Sequence, residues 1–264
     1  MMSRIRTLSC MFVALVGLLP LRAYTETTTG KTAQPAAPAR LSADQIVDRN
    51  VTARGGDRAW RAVQTMSFAG KLDAGGKHET ELPFVMQMKR PRKSRVEVTF
   101  ANDKAVQVYD GTQGWKLRPY LGRRNVEPFT SDELKAASME SDLDGLLIDH
   151  AAKGIRVDLE GVDKVEGNDA YKLKLTMKSG QVRHLWVDAK TFLEVKVDGN
   201  PRRMDGKLRP VEIYYRDYKS VSGLMLPYVL ETSVQGTRLS HKMTVENILV
   251  NPKLDDSLFT APKA

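Results

Sequence analysis

The sequence predicts an α+β protein dominated by one antiparallel β-sheet, with helices covering one face of the sheet. Three observations support this fold class. Beyond Thr65, apolar residues recur at every second position, which is the period of a strand with one buried face. Glycine- and aspartate-rich turns separate these runs at near-regular intervals. Helical spacing is confined to the start of the folded part and to the middle of the chain.

The N-terminal segment Met1–Ala23 has the pattern of a secretory signal peptide. Arg4 and Arg6 precede the apolar run Met11–Leu21, and a small residue ends the segment. The run is shorter than the roughly 20 residues of a membrane-spanning helix, although an uncleaved anchor remains an alternative. The single cysteine of the chain, Cys10, lies in this segment. Removal of the segment therefore leaves no disulfide and no thiol chemistry.

Two further segments follow the predicted signal peptide. Residues Tyr24–Arg40 are rich in Thr, Ala and Pro without periodicity, which is typical of a flexible tether. Residues 41–264 are predicted to form a single domain.

The balance of charge limits the partners of an exported protein. The net charge of +9 falls to +6 when the three arginines of the signal segment are removed. Outside the cytoplasm such a protein meets little nucleic acid, so its counter-charges would be lipid headgroups, lipopolysaccharide or an acidic protein patch. A solvated basic surface without any partner is the alternative.

Two helical regions are predicted. The first, Ala43–Arg54, begins with a capping box of Ser42 and Gln45 and ends at Gly55-Gly56, before a short helix that carries Trp60. The second begins near Thr130 and covers Asp132–Lys153. Either helix could simply pack on the sheet.

The alternation predicts roughly ten strands and assigns side chains to faces. The clearest run lies between Gly154 and Gly199, where Lys172, Lys174 and Arg156 fall on the solvated face. A slip of one residue would invert every side chain, so these assignments can be checked directly. The residues predicted to share the covered face are Leu82, Phe84, Met86, Val96, Val98, Phe100, Leu173, Leu175 and Val195.

The sequence contains no pattern typical of a catalytic or metal centre. A glycine-rich phosphate loop and a GxSxG nucleophile elbow are both lacking. The four histidines are widely separated and share no ligand-like spacing; they are His78, His150, His184 and His241. We therefore expect no metal, no cofactor and no enzymatic activity.

Six short motifs, in the same order along the chain, resemble those of the LolA-like outer-membrane lipoprotein-sorting proteins. Together they extend over nearly all of residues 41–262; each one alone is weakly specific. The motifs are Ala53–Gly56, Trp60–Val63, Tyr109–Gly111 with Gly114-Trp115, Leu185–Asp188, Gly223–Pro227 and Leu258–Pro262.

The resemblance implies a half-barrel, which is a curved open sheet with helices packed on its concave face. It also implies a periplasmic carrier that shields the acyl chains of a lipoprotein or lipid between sheet and helices, and passes them from an inner-membrane donor to an outer-membrane acceptor. We expect a monomer. The residues predicted to line the lipid-binding cleft are Phe84, Met86, Met88, Val98, Phe100, Trp115, Leu117, Leu143, Leu146, Leu147, Leu173 and Leu175.

Two other functions are compatible with the sequence. An envelope sensor or an exporter-associated interaction module could use the same cleft to detect lipid or a partner peptide. A lipid hydrolase would need a nucleophile, a base and an acid in one cluster, and the sequence gives no sign of them.

Overall fold

The computed structural model describes residues 41–73, 75, 81–101, 103–204, 206–237 and 240–263. The predicted signal peptide Met1–Ala23 and tether Tyr24–Arg40 lie outside these residues and stay predictions. The described helices are α1 (Ala43–Ala53), α2 (Asp57–Arg61) and α3 (Ser131–Glu140), with two 3₁₀ turns at Pro119–Leu121 and Asp256–Phe259. In the part of the chain described, no helix combines the length and the apolar character needed to cross a membrane.

Fifteen strands are described, rather than the ten that the sequence predicted. They are β1 (Thr65–Asp73), β2 (Glu81–Lys89), β3 (Lys93–Phe100), β4 (Asp103–Tyr109), β5 (Gly114–Arg118), β6 (Arg123–Pro128), β7 (Arg156–Val165), β8 (Asn168–Thr176), β9 (Val182–Asp188), β10 (Glu194–Asp198), β11 (Arg202–Met204), β12 (Lys207–Arg209), β13 (Val211–Val221), β14 (Leu224–Val234) and β15 (Ser240–Val250).

Thirteen of these strands form one open antiparallel sheet. Its order is β6-β5-β4-β3-β2-β1-β15-β14-β13-β10-β9-β8-β7, so β6 and β7 are its two edges. The remaining strands, β11 and β12, pair with each other as a separate hairpin. The predicted fold class, a curved open sheet with helices on one face, is confirmed.

Helix α1 begins and ends as the sequence predicts. Ser42 and Gln45 form a capping box in which each side chain accepts a hydrogen bond from the other's backbone N–H. Gly55 has a φ of 114°, and a Cβ there would lie 2.4 Å from the carbonyl oxygen of Gly223. Only glycine tolerates this combination of positive φ and close backbone approach. The motifs Ala53–Gly56 and Gly223–Pro227 therefore meet in the fold.

The second predicted helix is shorter than expected. It begins at a capping box formed by Thr130 and Glu133, but it ends at Glu140 instead of Lys153. Residues 141–154 form successive turns, in which Gly145 and Asp149 have positive φ values of 74° and 52°. An α-helix cannot continue through such residues. The segment 141–154 is called the plug below, because it packs against the covered face of the sheet.

Strand pairing confirms most of the predicted face assignments. Phe84 pairs with Val98, Met86 with Val96, and Leu173 with Leu185, so these apolar side chains share the face that the helices cover. Lys172 and Lys174 lie on the opposite face, as predicted. Val195 was assigned to the wrong face. A bulge between Glu194 and Lys196 turns Val195 outward, toward Trp186.

Two apolar cores lie side by side on the covered face. In the central core, Trp60 of α2 and Leu143 and Ile148 of the plug pack on β1, β2, β14 and β15. In the lateral core, Ile46 and Val47 of α1 and Leu147 of the plug pack on β8, β9 and β10. The half-buried side chain of Val51 contacts both. The helices and the plug thus cover one face of the sheet.

Candidate functional site

An apolar cavity of about 200 Å³ remains between the covered face and the plug. Leu143 and Gly145 of the plug lie on one side of it, together with Trp60 of α2. The opposite wall consists of apolar side chains from four adjacent strands. These are Met66 and Phe68 of β1, Met86 and Met88 of β2, Leu226, Pro227 and Leu230 of β14, and Met243 and Val245 of β15.

A second cavity, of about 130 Å³, lies beneath α3. Met86, Met88 and Glu140 line both cavities, so these three side chains separate them. Methionine is unbranched and adapts its shape readily. Rotation of the two methionines would join the two cavities, the second of which is also lined by Ser94, Gln107 and Ser141.

The larger cavity has a polar end built around Arg54. This arginine is only 8% exposed, and its Nη1 donates to the carbonyl oxygen of Asp144 at 2.9 Å and lies 3.3 Å from Oε1 of Glu194. Its guanidinium also lies 4.4 Å from the ring centroid of Trp60. A buried arginine needs such a set of partners, because an unpaired charge is strongly unfavourable in the interior.

Two tyrosines complete the polar end. Tyr218 donates its hydroxyl hydrogen to the carbonyl oxygen of Glu194 at 2.9 Å. The hydroxyl of Tyr215 forms no hydrogen bond with any residue that the structure describes. The surrounding protein raises the pKa of both groups, because it disfavours the charged phenolate. Both hydroxyls therefore stay protonated, and that of Tyr215 can donate a hydrogen bond to a molecule in the cavity.

Glu140, at the end of α3, is the acidic group shared by the two cavities. Glu140 is exposed to solvent. Neighbouring atoms nevertheless partly desolvate its carboxyl, and this raises the pKa of the carboxyl above the ordinary value of 4.5. Asn200 donates from Nδ2 to its Oε1 at 2.7 Å. This contact connects the end of α3 to the segment that follows β10.

We expect E140Q to stabilise the protein at neutral pH. Because the folded-state pKa of this carboxyl is raised, the folded protein loses stability as pH rises from the ordinary glutamate value through the raised one. Glutamine keeps the hydrogen bond with Asn200 and removes the charge. The free energy of unfolding, measured with urea from pH 4 to 8, should favour E140Q only at the upper end. An equal difference at every pH would contradict the raised pKa.

Arg90, at the start of the β2–β3 turn, binds the plug. Its guanidinium forms a two-fold ion pair with the carboxylate of Asp144, and its Nη2 donates to the carbonyl oxygen of Trp60 at 3.0 Å. Lys153 Nζ lies 3.0 Å from Asp142 Oδ2. By contrast, α3 has no fully buried residue. Within the segment 132–153, α3 therefore buries less apolar surface than the plug, although its Glu133 forms an ion pair with the buried Lys116 of β5.

The twelve residues predicted to line the cleft lie in different parts of the structure. Met86, Met88 and Leu143 line the larger cavity, and Phe84 and Val98 pack in the same central core. The lateral core contains Leu146, Leu147, Leu173 and Leu175, which do not reach the cavity. Phe100 lies near one end of the covered face, with its ring edge-on to Tyr120 at 5.7 Å.

Trp115 and Leu117 lie on the other face of the sheet. They pair with Val108 and Val106, and all four pack under Phe259 of the C-terminal segment. Sequence alternation identifies one apolar face in strands β4 and β5, but it does not reveal that the C-terminal segment covers that face from the outside, while Gln107 and Lys116 point to the inner face. These two side chains are therefore not part of the cavity.

The sequence did not identify the strands that form the cavity wall opposite the plug, or the residues at the polar end of the cavity. Met66 and Leu230 were recognised only as strand residues, and Tyr215 and Tyr218 were not singled out. The available signal was the alternation in β13–β15, but it does not reveal that β15 pairs with β1. The described residues contain no group of three or more His, Cys, Asp or Glu side chains that could hold a metal ion.

Neither a family model nor a curated protein matches the sequence. Solved structures do resemble it. A LolA superfamily protein from Nitrosomonas europaea is 16% identical, with a TM-score of 0.55, and the match covers 84% of this chain and 98% of that one. A DUF1329 family protein from Desulfovibrio piger is 17% identical, with a TM-score of 0.57 and coverages of 83% and 97%.

A third similar structure is an outer membrane lipoprotein-sorting protein domain from Vibrio parahaemolyticus. It is 13% identical, with a TM-score of 0.57, and the match covers 83% of this chain and 95% of that domain. These likenesses extend over almost the full length of each of the three proteins. With the open thirteen-stranded sheet and its helix-covered face, they show that the chain has a LolA-like fold.

Proposed function

We propose that the protein is a lipid carrier that shields an acyl chain between the sheet and the helices. The observation that supports this most directly is the apolar cavity of about 200 Å³, which meets the second cavity at Met86 and Met88. Its wall is apolar along four strands, and hydrogen-bonding groups are gathered at one end. Such a site suits an amphiphile with a hydrocarbon chain and a polar head.

The energetics of acyl-chain burial suit a carrier that later releases its cargo. Burial contributes about 0.8 kcal/mol per methylene, so ten methylenes would give roughly 8 kcal/mol before the loss of freedom on association. The net affinity is then moderate and reversible. Binding and release need no covalent step, and the carrier need not be an enzyme.

Loading must enlarge the observed cavity. Pockets for small ligands usually measure about 300–1,000 Å³, and each of the two cavities is smaller than this. Outward movement of α3 would open the space beneath it, while Arg90 and Arg54 keep the plug in place. We propose α3, rather than the whole predicted helical region Asp132–Lys153, as the movable element.

We further propose that the carrier works in the periplasm, between an inner-membrane donor and an outer-membrane acceptor. Two observations support this setting: the signal-peptide pattern of Met1–Ala23, and the similarity to a domain named for outer membrane lipoprotein sorting.

Mass spectrometry of the protein purified from its own cell envelope tests both parts of the proposal. Under denaturing conditions the chain should begin near Tyr24, because the signal peptide has been removed. Under native conditions part of the population should carry the added mass of one lipid, which organic extraction removes. A chain that keeps Met1 would contradict export by cleavage. A native preparation free of lipid that also fails to bind a fluorescent fatty acid would contradict the carrier function.

A further inference from the structure

The hairpin β11–β12 carries a concentrated positive charge. Within eight residues it presents Arg202, Arg203, Lys207 and Arg209, and Leu208 beside them is 62% exposed. The two strands pair only with each other among the described strands, so this unit, the basic hairpin, is not part of the thirteen-stranded sheet.

The charges of the basic hairpin have few partners among the described residues: Arg202 acts on the carboxyl of Glu140 only at a distance, through its charge. None of its four cations forms an ion pair with a carboxylate of a described residue. The one described side-chain bond is from Arg203 Nη1 to the carbonyl oxygen of Gly206, at 3.2 Å within the hairpin itself. About half of the exposed cations elsewhere in the described residues have a carboxylate within 4 Å, so what distinguishes the hairpin is that four cations lie within eight residues. The basic hairpin is thus available to an external anion.

The basic hairpin lies close to the cavities. Asn200, two residues before β11, donates to Glu140, which lines both of them. The same amide accepts a hydrogen bond from Arg183. A surface bound by the hairpin would therefore lie next to the end of α3.

A second exposed turn lies on the same rim of the sheet. Counting across the sheet, β10 is the eighth strand from β5, and every neighbouring pair is antiparallel. Strands β5 and β10 therefore run in the same direction and end at the same rim. After β5, the side chains of Tyr120 and Leu121 are 57% and 52% exposed. Arg123 and Arg124 follow, exposed although paired with Glu127 and Asp103. The rim thus has two turns that each combine apolar side chains with cations.

We propose that this rim docks the protein on an anionic phospholipid surface. Leu208, Tyr120 and Leu121 enter the interfacial region, where aliphatic and tyrosine side chains are favoured, while the cations contact headgroup phosphates. Two separate turns of this kind match an extended plane of charge better than a compact acidic patch on one protein. Docking in this orientation presents the end of α3 and the cavities beside it to the membrane.

Co-sedimentation with vesicles tests the proposal. The purified protein should bind vesicles that contain phosphatidylglycerol more tightly than vesicles of phosphatidylcholine alone, and the difference should shrink as salt increases. The triple variant R202Q/R203Q/K207Q is expected to lose at least about tenfold in affinity. L208S should weaken binding at every salt concentration, because its contribution is apolar.

The matched control is R58Q/K190Q/K253Q. It removes the same charge from three exposed cations that also lack a described ion pair, and Lys190 and Lys253 lie toward the opposite rim. The control should bind vesicles like the wild type. All variants should still bind a fluorescent fatty acid, so that a loss of vesicle binding can be distinguished from a loss of cargo binding. Equal losses in the two triple variants would overturn the proposal. The proposal would also be overturned if the wild-type protein did not bind anionic vesicles but required the hairpin cations to bind an acidic protein.

Discussion

Replacing Arg54 with alanine is expected to lower the free energy of unfolding by about 3–5 kcal/mol. The substitution leaves Glu194 inside the protein without its cation, and it leaves the carbonyl oxygen of Asp144 without its donor. It also removes the guanidinium from the face of Trp60. Against a total stability of roughly 5–15 kcal/mol this is a large fraction. Urea denaturation followed by tryptophan fluorescence measures it.

Arg61→Ala is the matched control for this result. Arg61 also forms two ion pairs, with Asp57 and Asp149, but its side chain is 62% exposed. Exposed ion pairs contribute little to stability because solvent screens them, so this variant should unfold almost like the wild type. If R54A and R61A were equally stable, the polar end of the cavity would not be the anchor that holds the plug.

Replacing Met86 with tryptophan is expected to weaken binding of a fluorescent fatty acid at least tenfold, which corresponds to about 1.4 kcal/mol. Met86 lies where the two cavities meet, so an indole there occupies the space that the acyl chain needs. The existing cavity accommodates much of the added volume, and the overpacking should destabilise the fold by only about 1–3 kcal/mol. Fluorescence titration gives the affinity, and urea denaturation shows that the variant is folded.

Val85 provides the control on the neighbouring position of the same strand. Its side chain points to the other face of the sheet and is 38% exposed. V85W should therefore bind the probe with unchanged affinity. If V85W and M86W lost the same affinity, the effect would come from disturbance of β2 and not from a filled cavity.

The fold and most face assignments could be predicted because one buried face fixes the register of a strand. Leu173, Leu175 and Val98 lie where the two-residue period places them. The prediction failed at Val195, where a bulge inserts one residue, and at Trp115 and Leu117, where the C-terminal segment covers the outer face. In the first case a local irregularity shifts the alternation, and in the second a distant segment covers the apolar face from the outside.

The position of the cavity was harder to predict than the sheet. Its wall needs β1 beside β15, a pairing between strands from the two ends of the described residues that leaves no local trace in the sequence. Leu146 and Leu147 have the spacing of a helix, but Gly145 and Asp149 break that helix, and the turns place Leu147 in the lateral core. Only Met86, Met88 and Leu143 of the predicted lining reach the cavity.

Photo-cross-linking with a fatty acid that carries a diazirine near the end of its chain tests the binding site most directly. After irradiation and peptide mapping, we expect the label on the methionines of the cavity wall, above all Met86, Met88 and Met243, with competition by unlabelled fatty acid. Labelling confined to Trp115 and Leu117 on the outer face, or to Leu173 and Leu175 in the lateral core, would contradict an acyl chain between the plug and strands β1, β2, β14 and β15.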